Sequence, residues 1–190
     1  KEVPRAENIS SAFLSSSIAF NIHVVDKVEN AFTIENDNNR CLTTDDSHPI
    51  LSDLIIQNCA DGGMYINGGN MTLQNIIIQN NTISTYYGGG GIMIIAHSHI
   101  TLVNCKILSN TAKGPNFGGG GIFLEDSSCI LDNCQVDGNT AERDGGNIYI
   151  LGDNMSTNLT ITNSIVQNGY TEGLGGGLFM NSKYNDDSLI

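Results

Sequence analysis

The residues whose types could do chemistry are a few carboxylates, histidines and cysteines in a chain with little basic partnership to offer them. Glu125 with Asp126, and Asp132 with Asp137, are the acidic residues to weigh for such chemistry. Paired carboxylates are what acid–base cleavage of a glycosidic bond requires. That chemistry also calls for a cation or a basic residue at the scissile bond, and Lys106 has no acidic column beside it. His97 and His99 alternate as two imidazoles would at a metal, but no spacing supplies the further ligands a closed site needs. The glycine runs Gly88–Gly91, Gly118–Gly121 and Gly175–Gly177 lack the Lys-Ser/Thr that follows in a phosphate loop. No catalytic residue, metal or cofactor is therefore expected, and calcium has no support beyond the acidic balance.

Five cysteines are an odd number, so at least one thiol has no partner within the chain. Cys105 and Cys134 hold equivalent places in a repeat, roughly 4.8 Å apart if its turns stack. Their parallel side chains then favour a free internal ladder over a bond. Cys41 and Cys59 are the expected disulfide. Five Asn-x-Ser/Thr sequons, at Asn8, Asn70, Asn80, Asn154 and Asn158, mark acceptor sites for N-glycans if the chain is secreted. Eight basic against twenty acidic residues give a net charge of −12, which argues against a nucleic-acid partner. No stretch has the length and apolarity of a membrane span, so no membrane insertion is expected.

These residues ride on a repeat. Leu73-x-Asn75-x-x-Ile78, Leu102-x-Asn104-x-x-Ile107, Leu131-x-Asn133-x-x-Val136 and Ile161-x-Asn163-x-x-Val166 are four clear copies, with weaker ones at Val28-x-Asn30 and Leu51-x-Asp53. Asn81, Asn110, Asn139 and Gly169 stand three residues further on. Apolar residues alternate within each copy, which is strand periodicity, and no copy carries a helical pattern. Short strands recurring in register describe an all-β fold, a single-stranded parallel β-helix (a solenoid) of about six coils. It is expected over residues 22–190, breaking off in mid-coil, with residues 1–21 as an N-terminal cap or a link to an earlier coil. Asn75, Asn104, Asn133 and Asn163 are expected to form a structural ladder of amides at a bend, satisfying buried polar groups there.

Strand parity places Met64, Ile66, Ile92, Ile94, Ile122, Leu124, Ile148, Ile150, Leu178 and Met180 inside. Tyr65, Met93, Phe123, Tyr149 and Phe179 then form an outward stripe, an exposed apolar column able to meet a partner or a glycan unless a loop of the chain covers it.

Gly-Gly-Ile followed by hydrophobic-x-x-Asn resembles the repeat of the polymorphic outer membrane proteins and, more broadly, the pectin-lyase-like right-handed β-helices. The likeness covers roughly residues 50–181, with Ile78-x-x-Asn81, Ile107-x-x-Asn110 and Val136-x-x-Asn139 where that repeat has Phe-x-x-Asn. It implies a right-handed coil and a surface role. The expectation is a non-enzymatic structural or adhesive rod segment, extracellular or on a cell surface. Its expected partners are copies of itself or adjacent coils of one polypeptide, stacked end to end, and glycans. The alternative is a carbohydrate-active enzyme or carbohydrate-binding module.

Overall fold

A computed structural model of the chain describes residues 18–20, 23–28, 31–36, 38–84, 88–114, 116, 118–153, 155–182 and 188–190. Their strands wind into a parallel β-solenoid. One coil serves as the pattern: Ile92–Ile95, His99–Val103, Lys106–Leu108 and Thr111–Ala112, each strand joining a different sheet. These four sheets are numbered 1 to 4 here in the order the coil visits them. Among the described residues four coils are complete, with partial turns on either side, rather than about six. The difference lies at the weak N-terminal copy. Val28 belongs to His23–Val28, which pairs antiparallel with Ala31–Glu35 and is no coil of its own. Ile18–Phe20 likewise runs antiparallel to Leu42–Asp45, so sheets 1 and 3 both end on reversed strands.

The interior follows the alternation. Met64, Ile66, Ile92, Ile94, Ile122, Leu124, Ile148 and Ile150 are buried, and Leu178 and Met180 pack partly buried against the same cluster. Registers are identical from coil to coil: Ile92 pairs with Met64 on one side and Ile122 on the other. A slip of one residue would turn every aliphatic of a strand outward, so the pattern fixes the register.

Corners are held by columns of like polar groups. Between sheets 1 and 2, Ser98, Ser127 and Thr157 are buried; the Ser127 hydroxyl accepts from the Ser98 N–H at 3.1 Å, and the Thr157 hydroxyl donates to the Leu151 carbonyl at 2.9 Å. Between sheets 2 and 3, Asn75, Asn104, Asn133 and Asn163 take φ of 55°, 55°, 54° and 51°, the left-handed turn that asparagine tolerates. Asn104 donates to Asn75 at 3.3 Å and Asn133 to Asn104 at 2.6 Å, so the ladder forms over three rungs. Two features differ from expectation. Asn163 donates to Asp132 instead of Asn133, and these bonds lie at the exposed surface.

The buried amide column is the next one, between sheets 3 and 4. Asn110 Oδ1 accepts from the Asn81 N–H at 3.0 Å and Nδ2 at 2.9 Å, while its own Nδ2 donates to the Ile78 carbonyl and to Asn139 Oδ1, both at 3.0 Å. Each amide fills space vacated by a glycine: a Cβ on Gly121 would stand 2.9 Å from Asn139 Nδ2. In the next coil the pair is exchanged. Asn147 takes the glycine's place and Gly169 the asparagine's, and Asn147 Oδ1 accepts from Asn139 Nδ2 at 2.8 Å. At the opposite end the registers put Cys41 and Cys59 at these same two positions, and there the structure joins them in a disulfide with Cα atoms 5.6 Å apart. Cys59 N–H then donates to Asn81 Oδ1 at 3.0 Å, so the bond crowns the column.

The two cysteines are 18 residues apart, and a closed loop of this size is worth about 3 kcal/mol. Reduction is expected to lower the guanidinium unfolding free energy by that amount. The Cys41→Ala/Cys59→Ala variant should start at the lowered value and ignore the reductant. An unfolding curve indifferent to reduction in the parent chain would refute this.

The glycine runs form the arch that returns the chain from sheet 4 to sheet 1. Gly119 holds φ at +77°, and a Cβ on Gly88 would lie 1.6 Å from the Gly118 carbonyl oxygen of the next coil. Close backbone stacking, not phosphate, explains these runs.

Candidate functional site

The outward stripe stands in single file on sheet 1, with Met93 in register with Tyr65 and Phe123, and Tyr149 with Phe123 and Phe179. It is not an exposed column. Met93, Phe123 and Tyr149 are 3%, 0% and 3% exposed, and with Leu151 they form a second core to which Tyr65, Ile95 and Phe179 are partly buried neighbours. The parity reading was right about the face. The face is covered by the chain itself. Phe123 stacks on Tyr149 with ring centroids 5.6 Å apart, and Tyr149 is followed by Phe179 at 5.4 Å. The Arg40 guanidinium sits 5.1 Å from the Tyr65 ring centre and donates to the Met64 carbonyl at 3.3 Å, which closes the file at its other end.

At the corner that follows sheet 1, Glu125, Asp126 and Asp153 gather. Asp153 was not singled out in the sequence, although Gly152-Asp153 follows its strand much as Asp126 follows Glu125. Burial first, then the neighbouring Asp126 and Asp153, push the Glu125 carboxyl above its ordinary range. A raised carboxyl among other carboxyls is an arrangement a general acid can take. Yet Asp126 Oδ1 is occupied, accepting the Asp153 and Met155 N–H groups at 3.1 Å each. It shapes the loop. His97 and His99 do not converge on a ligand position: ring nitrogens of each approach backbone carbonyls, those of Asp126 at 3.3 Å and His97 at 3.0 Å. Among the described residues no three His, Cys, Asp or Glu side chains group as metal ligands.

Because the folded protein holds the Glu125 proton more tightly than the unfolded chain does, stability falls as pH rises from the ordinary glutamate value through the raised one. Glu125→Gln is therefore expected to raise the melting temperature at neutral pH. Below the ordinary carboxyl range, where the glutamate is protonated in both states, it should make no difference. A gain present in acid and absent at neutrality would contradict this.

The other acidic pair separates. Asp132 accepts from Thr162 and Asn163 at 3.2 and 3.0 Å. Asp137 accepts from Gln135, Gln167 and Asn168 at 2.9, 2.8 and 2.9 Å, and these amides hold its carboxyl below the usual range, Gln167 having the largest effect. Both serve as rungs between coils.

Of the sequons, Asn70 is exposed on sheet 2, in the same register column as Asn158, whose Oδ1 accepts the Ser188 hydroxyl at 2.6 Å. Asn80 sits in a left-handed turn with φ of 56°. Asn8 and Asn154 lie outside the described residues. Cys105, Cys129 and Cys134 are free and buried.

A family model described as the right-handed β-helix region matches residues 41–186. No curated protein and no solved structure matches the chain.

Proposed function

The chain belongs to the right-handed β-helix family, and from that premise we propose that it is a structural rod segment of a larger secreted, surface or filament-forming protein. The observation that carries this reading is how completely the polar groups are spent on neighbouring coils. Carboxylates, amides and hydroxyls bond from rung to rung, and among the described residues Thr44 Oγ1 is the one buried side-chain polar atom without a partner. A catalytic centre needs polar groups held in reserve for a substrate. Here they hold the spine together.

The Cys41–Cys59 bond supports an oxidising, extracellular setting. Sheet 2, which carries Asn70 and Asn158, is the face we assign to glycans. Ile165, Tyr170 and Leu174 are exposed, and among the described residues strands Ile165–Gln167 and Tyr170–Thr171 are paired on one side alone. An adjacent coil or a copy of the chain stacking there would bury them. The opposite end, closed in sheets 1 and 3 by antiparallel strands, is the poorer surface for a head-to-tail fibre. Glycan stacking on the aromatic stripe loses its footing, since those rings are covered.

The test is turnover. The folded chain is incubated with acidic and neutral polysaccharides, and new reducing ends and unsaturated products are measured. No product is expected. Product formation abolished by Glu125→Gln would overturn the reading and establish the Glu125–Asp126–Asp153 corner as an active site. Peptide mass spectrometry of native material reads the glycan assignment at Asn70 and Asn158, and unmodified asparagines there would remove it.

A further inference from the structure

The corner between sheets 2 and 3 carries a second file behind the exposed asparagines: Cys105, Cys134 and Ser164, one per coil. Strand registers fix it, since Lys106 pairs with Gln135 and Gln135 with Ile165 immediately after these residues. Cys105 N–H donates to Cys134 Sγ at 3.4 Å, and Cys134 N–H donates to Ser164 Oγ at 2.8 Å. The two sulfurs therefore stand one above the other, about one strand spacing of 4.8 Å apart. A disulfide requires sulfurs at roughly 2 Å, which parallel in-register side chains disfavour, and both thiols are free. Two metal–thiolate bonds of about 2.3 Å set in line span nearly the whole gap.

We propose that Cys105 and Cys134 form a two-coordinate site for a soft, closed-shell metal ion such as Cu⁺, held between the sulfurs of successive coils. Thiolates select soft ions, and a linear site asks for nothing beyond two of them. The surroundings agree. A zinc or calcium site would need further donors, and no three His, Cys, Asp or Glu side chains group for it among the described residues. An open depression of about 350 Å³ adjoins the corner, with both cysteines, Asn104, Asn133, Lys106 and Gln135 among its lining residues, while the two thiols themselves are 1% and 4% exposed in the main core. Each thiol now donates to backbone carbonyls, Cys105 to those of Leu73 and Val103 and Cys134 to those of Leu102 and Asp132, all at 3.4 Å, and binding the ion gives up these bonds. Both thiols give up their protons, and the product is a dithiolate complex carrying one negative charge. Cys129, buried in sheet 2, has Ile100 and Leu159 as register neighbours rather than a cysteine and supplies the control thiol.

The test titrates the folded chain, its disulfide intact, with silver ion alone and then with Cu⁺ under anaerobic conditions. Metal–thiolate absorption and native mass spectrometry read the result. One ion per chain is expected, lost in Cys105→Ser and in Cys134→Ser and retained in Cys129→Ser. The serine variants should fold, because Ser164 already fills the equivalent place. X-ray absorption of the complex should give two sulfur neighbours in line. No bound ion, an ion that survives either serine variant, loss in Cys129→Ser, or a trapped Cys105–Cys134 disulfide would each overturn the proposal.

Discussion

Replacing Asn110 with alanine is expected to lower the unfolding free energy by on the order of 4 kcal/mol. The estimate counts what the side chain leaves behind. The Asn81 N–H and Nδ2 each lose an acceptor, and the Ile78 carbonyl and Asn139 Oδ1 each lose a donor, all in a column that water does not reach. A buried group deprived of its partner costs about 1–3 kcal/mol, and some of these four retain a second bond. The control is Asn104→Gly in the exposed column. Glycine keeps the left-handed turn, so only surface amide bonds are lost and the change should stay under about 1 kcal/mol. Urea unfolding of both variants decides the matter; equal losses would mean that the two columns do the same work.

The exchanged pair Asn147 and Gly169 sharpens this test. Gly121→Asn alone collides with Asn139, and Asn139→Gly alone empties the column. Together they rebuild the arrangement the following coil already uses. The double variant should be more stable than the sum of the singles by about 2 kcal/mol or more, within the range for residues in contact. A Cβ at position 121 would also stand 2.7 Å from the Asn147 carbonyl, so the backbone must give slightly and full recovery is not expected. Additive losses would refute the exchange.

The solenoid was legible in the sequence because a repeat reports its own stacking. Once Leu73, Leu102, Leu131 and Ile161 are aligned, parity alone sends Ile92, Ile122 and Ile148 inward, and the structure puts them there. The buried amide column was half legible. Asn81, Asn110 and Asn139 stood out as a motif, but burial was assigned to the Asn75 column, since a recurring asparagine at a bend looks alike whether it faces water or the core. Its signal was present elsewhere. The one coil that reads Gly169 where the others have asparagine is also the one that reads Asn147 where they have glycine. Two departures in a single coil, each the reverse of the other, mark two positions that share one space. The Cys41–Cys59 pair occupies those positions too, which turns a guess about pairing into a matter of register. The Cys105–Cys134 ladder was legible from the repeat, with Ser164 as its next member, but the Glu125–Asp126–Asp153 group was harder to see. Asp153 reaches its neighbours through the Asp126-capped loop, and no periodic rule places a loop.

Phe123→Ala is the substitution that separates a covered side from an open one. Phe123 is fully buried, stacked on Tyr149 and backed by Met93, so truncation should remove about 3–5 kcal/mol through lost burial and the cavity left behind. The offset pair adds roughly 0.5–1.5 kcal/mol of ring stacking to what area alone would give. An aromatic on an open face behaves otherwise: Tyr170, 61% exposed on sheet 4, should tolerate alanine within about 0.5 kcal/mol. Urea unfolding at constant slope compares the two directly. A large loss at Phe123 with little at Tyr170 places the stripe in a second core along the side of the rod. If instead Phe123→Ala costs no more than Tyr170→Ala, the rings face solvent in solution. A glycan or a second chain would then have an apolar column on which to stack, and the carbohydrate-binding reading would regain the surface it needs.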